Sequence, residues 1–591
     1  MPHLRTTLGL LLTAISVRPA IAAQHQKAPD LGSNVQVFSP TQPPSEIQAR
    51  IDQVYKVQQH NEFGPERNAF LFLPGEYKID IPIGFYTQVV GLGASPDAVH
   101  ITGNVHSDAS LPRDNATCTF WRAVEGFSVT PVGGTPGTSG ATGTMQWAVS
   151  QAAPFRRMHI LGSIVLNQNH GWASGGWISD SLIDGAVASG TQQQWISRNT
   201  EWSSWTGANW NMVFVGVNHP PDGDWPKPVY TKVDQTPVIR EKPFLNVDRF
   251  GRWSVRVPAL LHNSAGMSWH TGSTPGKSIP ISQFYIAHAN VDTAASLNAM
   301  LSTGMNLLFT PGIYSLDAPI RVTRPDTVVL GLGFATLHPT QGTAAITTAD
   351  ADGITLAGLL IDAGEQQSPV LVQIGPSAGP VGSPASHARN PILLSDIFFR
   401  VGGAGVGSAK INLEINANDT LIDHTWIWRA DHGKGVGWDK NLSENGLVVN
   451  AGNVTAYGLF VEHHQQFQVL WNGNGGRTYF YQSEIPYDPP TQSAWTSASG
   501  TNGWAAYKVA DYVTTHEAWG LGIYSVFRHP NVVLSRAIEV PKSPDVKFHH
   551  MITVALDNLG EITHIIDDRG APATTAKPRV DPKLTDFPPN Q

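Results

Sequence analysis

An internal repeat constrains the fold of this 591-residue chain more than any other feature of its sequence. Each copy contains a helical pattern, a strand-like run that ends in Pro-Gly-x-Tyr, and a second run that ends in Gly-Leu-Gly. The copies lie about 240 positions apart, at residues 46–52, 71–77 and 89–93, and again at 292–298, 307–314 and 328–333. A matching order of three elements is difficult to obtain by chance. The repeat therefore predicts two homologous halves.

Between these landmarks the chain consists of short apolar runs separated by Gly, Asn, Asp and Ser, such as Met158–Leu166, Gly176–Asp184 and Ile354–Asp362. This pattern predicts an all-β fold. The hairpin turns and clean alternation of a sandwich are scarce, so the pattern favours two tandem right-handed parallel β-helices, in which stacked coils bury an apolar column. The helical pattern of each copy is expected to cap the open end of its solenoid.

The two ends of the chain and its middle differ from these halves. Arg5, the apolar run Leu8–Val17 and Ala20–Ala22 form a secretory signal pattern, and no later run is long enough to span a bilayer. We therefore expect a secreted protein. The predicted parts are a signal peptide at 1–23, a first β-helix at 24–245, a linker at 246–281, a second β-helix at 282–570 and a polar, Pro-rich tail at 571–591. Asn218–Pro243, with its many prolines, is interpreted as an irregular stretch.

Charge narrows the possible partners of the protein. The formal net charge is −8, and the sequence contains no basic block, so nucleic acid and anionic membranes are poor candidates. A neutral polysaccharide or oligosaccharide fits this balance better, and the chain is expected to act on it as a monomer. The lone Cys118 allows no intramolecular disulfide, so packing and backbone ladders must stabilise the fold.

The second half carries four short motifs in a fixed order. They are FRVGG at 399–403, TWIWRADH at 425–432, GLFVEHH at 458–464 and YQSEIPY at 481–487. This succession resembles glycoside hydrolase family 55, whose members act on β-1,3-glucan and consist of two linked β-helices. The resemblance, together with the duplication, covers most of the predicted mature chain. It implies exo-type hydrolysis of β-1,3-glucan with inversion and without a cofactor.

The resemblance assigns roles to two glutamates. Glu484 matches the general acid of the family, and Glu462 matches a glutamate that helps to place the attacking water. The sequence departs from the family pattern at Val461, His464 and Asp488, which leaves the linkage and the preferred chain length open. The first half of the family also supplies polar side chains to the water. The candidates here, among which the sequence does not choose, are Gln192, Gln193, Gln194 and Ser197.

Spacing points to the same two glutamates. Glu462 and Glu484 are 22 residues apart, about one coil of a β-helix, so they are expected on one face of neighbouring strands. Two carboxylates that flank a bond are what glycoside hydrolysis requires. The aromatic run at 479–481 and Ile485-Pro486 would raise the pKa of Glu484. Coils stack about 4.8 Å apart, close to the spacing of retaining enzymes, so spacing alone leaves retention open.

Further residues are weaker candidates for binding substrate or placing water: Asp431, His432, His463, Trp428, Trp471 and Tyr487. Trp428 and Trp471 could stack on sugar rings or lie in the core. Asp431 and His432 have no third metal ligand at a sensible spacing. His463 and His464 are neighbours on a strand and point to opposite faces. We therefore predict no metal site and no cofactor.

Two other functions fit parts of the sequence. A polysaccharide lyase shares the β-helix, but it needs a Lys, Arg or Tyr base together with Ca²⁺ or Arg to neutralise a uronate, and the sequence concentrates none of these. A non-catalytic carbohydrate-binding or adhesin solenoid would explain the aromatic residues and the fold. It would not explain the paired glutamates, so a hydrolase remains the prediction.

Overall fold

The structure, a computed structural model, describes residues 28–138, 141–377, 385–557, 559–575 and 580–589. The predicted signal peptide lies outside these residues. Two parallel β-helices lie side by side, which confirms the predicted fold class. Within the described ranges, no helix combines the length and the apolar character needed to cross a membrane.

The first β-helix stacks short parallel strands around an apolar core. The strands of its first long sheet, which faces the second half, are Val35–Phe38, Asn68–Phe72, Thr87–Gly91, Arg122–Glu125, Pro154–Arg156, Trp177–Ser179, Gln194–Arg198, Asn211–Val215 and Tyr230–Val233. The opposite sheet comprises Gly75–Lys78, Val99–Thr102, Ser128–Thr130, Thr144–Gln146, His159–Ile160, Ser163–Val165, Leu182–Ala188 and Glu201–Thr206. A short pair is formed by Ile81–Pro82 and Val105–His106.

The second β-helix has longer strands. Its second long sheet contains Phe284–Ala287, Asn306–Phe309, Ile313–Leu316, Val328–Gly331, Thr336–Pro339, Thr355–Asp362, Leu393–Val401, Leu421–Arg429, Thr455–Glu462, Gly476–Glu484, Thr515–Ser525, Asp545–Ala555 and Lys583–Phe587. The sheet behind it contains Ile320–Val322, Ile346–Thr348, Ser368–Ile374, Ala409–Ile415, Ser443–Val449, Val469–Trp471, Tyr507–Val509, Val532–Glu539 and Gly560–Ile566.

The repeat has the same structural role in both halves. Helices Pro44–Gln58 and Ala294–Ser302 pack on the first coils, as predicted. The hydroxyl of Tyr77 donates to the carbonyls of Phe38 and Leu73. Tyr314 makes the corresponding bonds to Ala287 and Thr310. Each Pro-Gly-x-Tyr tyrosine therefore ties its turn to the end of the first strand.

The connection between the halves contains antiparallel strands that the sequence did not reveal. Thr236–Arg240 pairs with Leu260–Ser264, and Phe244–Val247, Trp253–Pro258 and Gly276–Pro280 form a second small sheet. The prediction of an irregular stretch at Asn218–Pro243 was therefore wrong in part, because Tyr230–Val233 and Thr236–Arg240 lie within it. In the tail, Lys583–Phe587 pairs antiparallel with Asp545–Ala555. Single 3₁₀ turns occur at Pro96–Ala98, Pro136–Thr138, Ile281–Gln283 and Ser493–Trp495.

The two long sheets pack against each other through an aromatic layer. The buried aromatic side chains in this layer are Phe85, Tyr86, Phe120, Trp121, Trp177, Phe334, Phe398, Trp426, Trp428, Tyr457, Phe460, Tyr479 and Phe480. Buried ion pairs cross the same interface. Arg156 binds Asp396 and Asp423 at 2.8 Å each, and Arg198 also binds Asp423, at 3.0 Å. These pairs fix how one β-helix sits on the other.

Candidate active site

A cavity of about 280 Å³ lies where the two long sheets meet. The first half contributes Thr117, Cys118, Phe120, Gln151, Ser174 and Gln193 to its lining. The second half contributes Trp426, Trp428, Asp431, His432, Glu462, His463, Glu484, Tyr487 and Leu556. The site is therefore formed jointly by both β-helices.

The first-half wall is a column of side chains on successive coils. Continuing the strand register backwards from Arg122–Glu125 and the three following strands aligns Phe120, Gln151, Ser174 and Gln193. The next residue after three of them has a positive φ: Trp121 at 57°, Ala152 at 53° and Gly175 at 117°. These repeated turns present the side chains to the cavity. We call this set the first column.

The second-half wall is a matching column, formed by Trp428, Glu462 and Glu484. Trp428 pairs with Glu462 in the parallel ladder, and the amide of His463 donates to the carbonyl of Glu484 at 2.8 Å. Thr455–Glu462 and Gly476–Glu484 pair with an offset of 22 residues, which confirms the prediction that the two glutamates lie on neighbouring strands. We call this set the second column.

The columns touch at their first rungs. The rings of Phe120 and Trp428 lie 5.6 Å apart, and Phe63 stacks on Trp428 at 6.2 Å. At the next rung Gln151 bonds to Glu462. Aromatic rings therefore close one end of the site, beside the carboxylates.

Glu462 is held by donors from both halves. Its Oε1 accepts from Gln151 Nε2 and its Oε2 from the indole nitrogen of Trp426, each at 2.8 Å. Burial raises the pKa of Glu462 well above its usual range, and the nearby Glu484 adds to this rise, whereas the bond from Trp426 acts in the opposite direction. The two N–H donors favour the charged form of Glu462, because hydrogen bonds to a carboxylate are stronger than those to a neutral carboxyl group.

Glu484 is the more accessible of the two carboxylates. Burial raises its pKa to about 7, although the hydrogen bond donated by the Tyr487 hydroxyl lowers it. His463 Nε2 lies 3.9 Å from Glu484 Oε2, while His463 Nδ1 bonds to the carbonyl of Ile485 and so carries the ring proton. Burial lowers the pKa of His463 to about 4, so this ring is neutral. With two N–H donors on Glu462 and one hydroxyl donor on Glu484, hydrogen bonding favours the charge on Glu462 and the proton on Glu484.

His432 lies at the cavity wall between two carboxylates. His432 Nδ1 bonds to Asp431 at 2.8 Å, and its Nε2 bonds to Glu62 at 2.7 Å. Burial alone would lower the pKa of His432, but the bonds to Asp431, Cys118 and Glu62 raise it to about 12. His432 is therefore an imidazolium whose position is fixed by two carboxylates.

The fold brings together three side chains that could ligate a metal, a group that the sequence did not reveal. Glu62 and Cys118, which are distant in sequence, bring potential ligand atoms within 4.8 Å of one another and of His432. His432 therefore has further potential metal ligands nearby, although no regular spacing in the sequence indicates them. Both ring nitrogens of His432 are engaged by carboxylates, which favours the ionic network over a metal ligand.

Comparisons with known proteins agree with this geometry. A family model described as the LAM55 pectate lyase-like domain matches residues 284–484. An exo-β-1,3-glucanase of Streptomyces sp. (strain SirexAA-E / ActE) is 45% identical over 575 residues, which are 97% of this chain and 92% of that protein. The chain belongs to glycoside hydrolase family 55. The structure of sacteLam55A from Streptomyces sp. SirexAA-E matches with a TM-score of 0.90 and 46% identity, covering 95% of this chain and 99% of that one.

A variant of that family 55 protein, solved in complex with glucose, matches with the same TM-score and 45% identity. Membership of the family makes the present chain a glycoside hydrolase. The lyase and the non-catalytic solenoid that the sequence left as alternatives are thereby set aside.

Several predicted residues of this family 55 enzyme lie away from the cavity. The side-chain amide of Gln192 donates to the carbonyls of Val149 and Leu166, and the side-chain amide of Gln194 donates to the carbonyl of Ser174. Ser197 and Trp471 are fully buried, Trp471 in the core of the second β-helix. None of these four lines the cavity, so the structure does not support their predicted roles in binding substrate or placing water. The remaining candidates, which do line the cavity, are Gln193, Asp431, His432, His463, Trp428, Tyr487, Glu462 and Glu484.

The departures from the family 55 motifs face away from the cavity. Val461 lies in the core, and His464 bonds to Ser443 and the carbonyl of Ile427. Asp488 forms a two-pronged ion pair with Arg429 at 2.9 and 3.0 Å. None of the three lines the cavity. They therefore give no reason to expect an altered substrate.

Sequence reasoning missed Gln151 and Ser174, the first-half residues nearest to the chemistry. Gln151 binds Glu462 directly, and the hydroxyl of Ser174 lies 3.3 Å from Gln151 Oε1. Their spacing of one coil is the available signal. This spacing can be recognised only after the coils of the first half are aligned, because the coils differ in length.

Proposed function

We propose that this enzyme releases glucose from the end of a β-1,3-glucan chain, with inversion at the anomeric carbon. The observation that carries the proposal is the pair of buried glutamates on neighbouring strands, one held by donors from both halves and the other with a pKa that burial raises to about 7. A site closed at one end by Phe120, Trp428 and Phe63 suits the end of a chain rather than its middle. The 45% identical relative is an exo-β-1,3-glucanase, which supports the same substrate.

Glu484 supplies the proton for bond cleavage. Its carboxyl donates to the glycosidic oxygen as the bond from that oxygen to the anomeric carbon breaks, so the departing chain leaves with a neutral hydroxyl. A pKa of about 7 keeps a large share of the acid protonated at neutral pH. The Tyr487 hydroxyl holds the carboxyl in place.

Water attacks from the other side of the sugar ring. Glu462, Gln151 and Ser174 provide a carboxyl group, an amide and a hydroxyl close together in the cavity. We infer that they orient the water, whose oxygen bonds to the anomeric carbon while its proton passes to Glu462. An inverting site must leave room for this water between the carboxyl groups.

The test is a time-resolved analysis of products from laminarin. The proposal expects glucose as the first product, with the α-anomer formed before mutarotation, as proton NMR reports. Release of β-glucose would overturn inversion, and larger oligosaccharides as first products would overturn the exo mode. Parallel incubations with β-1,4-glucan and a uronate polymer test the linkage, and preferential cleavage of either would overturn the assigned substrate.

We also propose that the enzyme is exported, which the N-terminal signal pattern supports. The test is N-terminal sequencing of protein collected from the culture medium of the producing cells. Export predicts a chain that begins at Gln24. Full-length protein that starts at Met1 and stays inside the cells would contradict it.

A further inference from the structure

A line of alternating charges runs from the first half of the enzyme to the loop beside the general acid. It consists of Glu62, His432, Asp431 and Arg528, and we call it the ionic chain. His432 bonds through Nε2 to Glu62 Oε1 at 2.7 Å and through Nδ1 to Asp431 Oδ1 at 2.8 Å. The Arg528 guanidinium donates to Asp431 Oδ2 at 3.0 Å and to the Asp431 carbonyl at 3.1 Å. Each charge in the ionic chain therefore faces one of opposite sign.

The first half fixes one end of the ionic chain. Glu62 lies in the loop that follows helix Pro44–Gln58, and its carbonyl accepts from the Tyr86 hydroxyl at 2.6 Å. The next residue, Phe63, lies edge-on to the His432 ring, with ring centroids 5.5 Å apart. A main-chain bond and a ring contact therefore hold Glu62 opposite His432, across the interface between the two halves.

The other end of the ionic chain holds Tyr487, whose hydroxyl donates to Glu484. The amide of Arg528 donates to the carbonyl of Tyr487 at 2.9 Å, and the Arg528 guanidinium lies 5.5 Å from the centroid of the Tyr487 ring. The His463 ring packs edge-on against the same tyrosine at 4.4 Å. Arg528 therefore restrains both the main chain of Tyr487 and, by a cation–π contact, its ring.

The two ends of the ionic chain, Glu62 and Arg528, are not among the residues that line the cavity. Their influence on the reaction therefore passes through the groups that they hold. An exposed ion pair by itself contributes little to stability, and the Arg528 side chain is 45% exposed. Arg528 differs from such a pair in its geometry, because two guanidinium donors bind one residue while its amide binds another.

We propose that Glu62 and Arg528 are positioning residues for the general acid: the ionic chain fixes the Arg528 guanidinium, which keeps the Tyr487 hydroxyl on the Glu484 carboxyl. The proposal rests on the proposed function and extends it to two residues outside the cavity. A proton donor is effective only when it is directed at the departing oxygen, so a small displacement of the carboxyl lowers turnover. Because the ionic chain begins in the first half, the orientation of the acid depends on contact between the halves.

The first test removes the guanidinium with Arg528→Met and compares two substrates. Laminaritriose needs a proton on its departing oxygen, whereas 2,4-dinitrophenyl β-glucoside has a leaving group that departs without one. At the pH of maximal turnover, kcat on laminaritriose should fall about tenfold with KM changed less than about twofold, and kcat on the aryl glucoside should stay within about twofold. Arg528→Lys, which keeps the charge but not the fork of donors, should recover part of the loss.

Two control variants separate the ionic chain from charge loss in general. Arg536 pairs with Asp568 away from the cavity, and Arg536→Met should leave both rates unchanged. Glu62→Gln should cause a smaller loss than Arg528→Met, again on laminaritriose and not on the aryl glucoside. Glu66→Gln, at an exposed position in the same loop, should cause none.

The second test asks whether Arg528 acts through Tyr487. Tyr487→Phe removes the hydroxyl that the ionic chain places, so adding Arg528→Met to this variant should lower kcat on laminaritriose no further. Additive losses would overturn the proposal, because Arg528 would then act by another route. This comparison needs laminaritriose alone and decides the proposal even where the aryl glucoside is a poor substrate.

Three other outcomes of the first test would overturn the positioning role. Equal losses on both substrates would place the ionic chain in support of the attacking water or the bound glucosyl unit. A loss confined to KM would assign it to substrate binding. Unchanged rates in both Arg528→Met and Glu62→Gln would show that the acid does not depend on it. If the parent enzyme cleaves neither substrate, the proposed function itself is refuted.

Discussion

The two β-helices begin with the same arrangement of helix, turn and first strand, but they contribute different groups to the active site. Each begins with a helix cap and a tyrosine that ties the Pro-Gly-x-Tyr turn to the first strand. Beyond the caps they diverge. Strands of the first long sheet contain three to five residues, whereas those of the second long sheet from Thr355–Asp362 to Asp545–Ala555 contain eight to eleven.

The difference in strand length places different groups in the cavity. The long strands of the second half carry Trp428, Glu462 and Glu484 at or near their ends, on a rigid ladder. The first half presents Phe120, Gln151 and Ser174 from the turns just before its short strands. One half thus supplies the reactive carboxylates, and the other supplies the groups that orient them and the water.

Separation of the halves should have the largest effect. A chain of residues 282–591 exposes the aromatic layer around Trp426 and Tyr457, and Asp396 and Asp423 lose Arg156. We expect it to aggregate in size-exclusion chromatography and to release no glucose from laminarin. Co-expression with residues 24–281 should restore part of the activity. A monomeric, fully active second half would show that the site needs no partner wall.

Removal of the general acid, Glu484, should have the second-largest effect. Glu484→Gln keeps the size of the side chain but removes the transferable proton, so kcat on laminarin should fall by about 10²–10⁴-fold. The control is Glu517→Gln, a more exposed glutamate on the adjacent strand. Both variants should keep the parent circular dichroism spectrum. Near-normal turnover by Glu484→Gln would show that Glu484 is not the general acid.

The buried ion pairs between the halves should matter for stability. Arg156→Met removes the cation that Asp396 and Asp423 share, while Arg198 still binds Asp423 and Lys242 lies 3.5 Å from Asp396. We expect a loss of about 3–5 kcal/mol in the free energy of unfolding by urea. Arg252→Met, which breaks an exposed pair with Asp248, should cost at most about 1 kcal/mol. Equal losses in the two variants would mean that the interface does not depend on these ions.

The orienting role of the first half is tested by Gln151→Ala. Loss of its hydrogen bond to the Glu462 carboxylate should lower kcat by about 10–100-fold with little change in KM. Gln193→Ala is the matched control, since Gln193 belongs to the same column, two rungs beyond Gln151. A change confined to KM would indicate that Gln151 binds sugar and does not act through Glu462.

The smallest effect concerns pH. The acid must be protonated, so activity should fall as pH rises through about 7, the pKa of Glu484. The Tyr487 hydroxyl favours the charged carboxylate, and Tyr487→Phe should therefore raise this pKa and move the alkaline limb of the kcat profile to higher pH, by less than about one unit. Tyr512→Phe, at an exposed position, should leave the limb in place. A shift to lower pH would contradict the hydrogen-bond direction.

The sequence by itself determined the repeated frame and the reactive pair. Pro-Gly-x-Tyr and Gly-Leu-Gly mark turns whose geometry is local, and Glu462 and Glu484 follow from a spacing of one coil between strands that are neighbours in the ladder. These features depend on contacts that are close in sequence or repeated at a regular period, which is why they could be predicted.

Only the tertiary structure decided which first-half residues face the carboxylates. Gln151 meets Glu462 across 311 positions, and Arg156 meets Asp396 across 240, so no local pattern encodes either contact. The run Gln192–Ser197 looked suitable because it is polar. Three of its four candidates are instead buried in backbone bonding or packing, since neighbouring residues of a coil point in different directions. How two solenoids turn towards each other is set by the aromatic layer and the buried ions between them, and these are assembled from both halves at once.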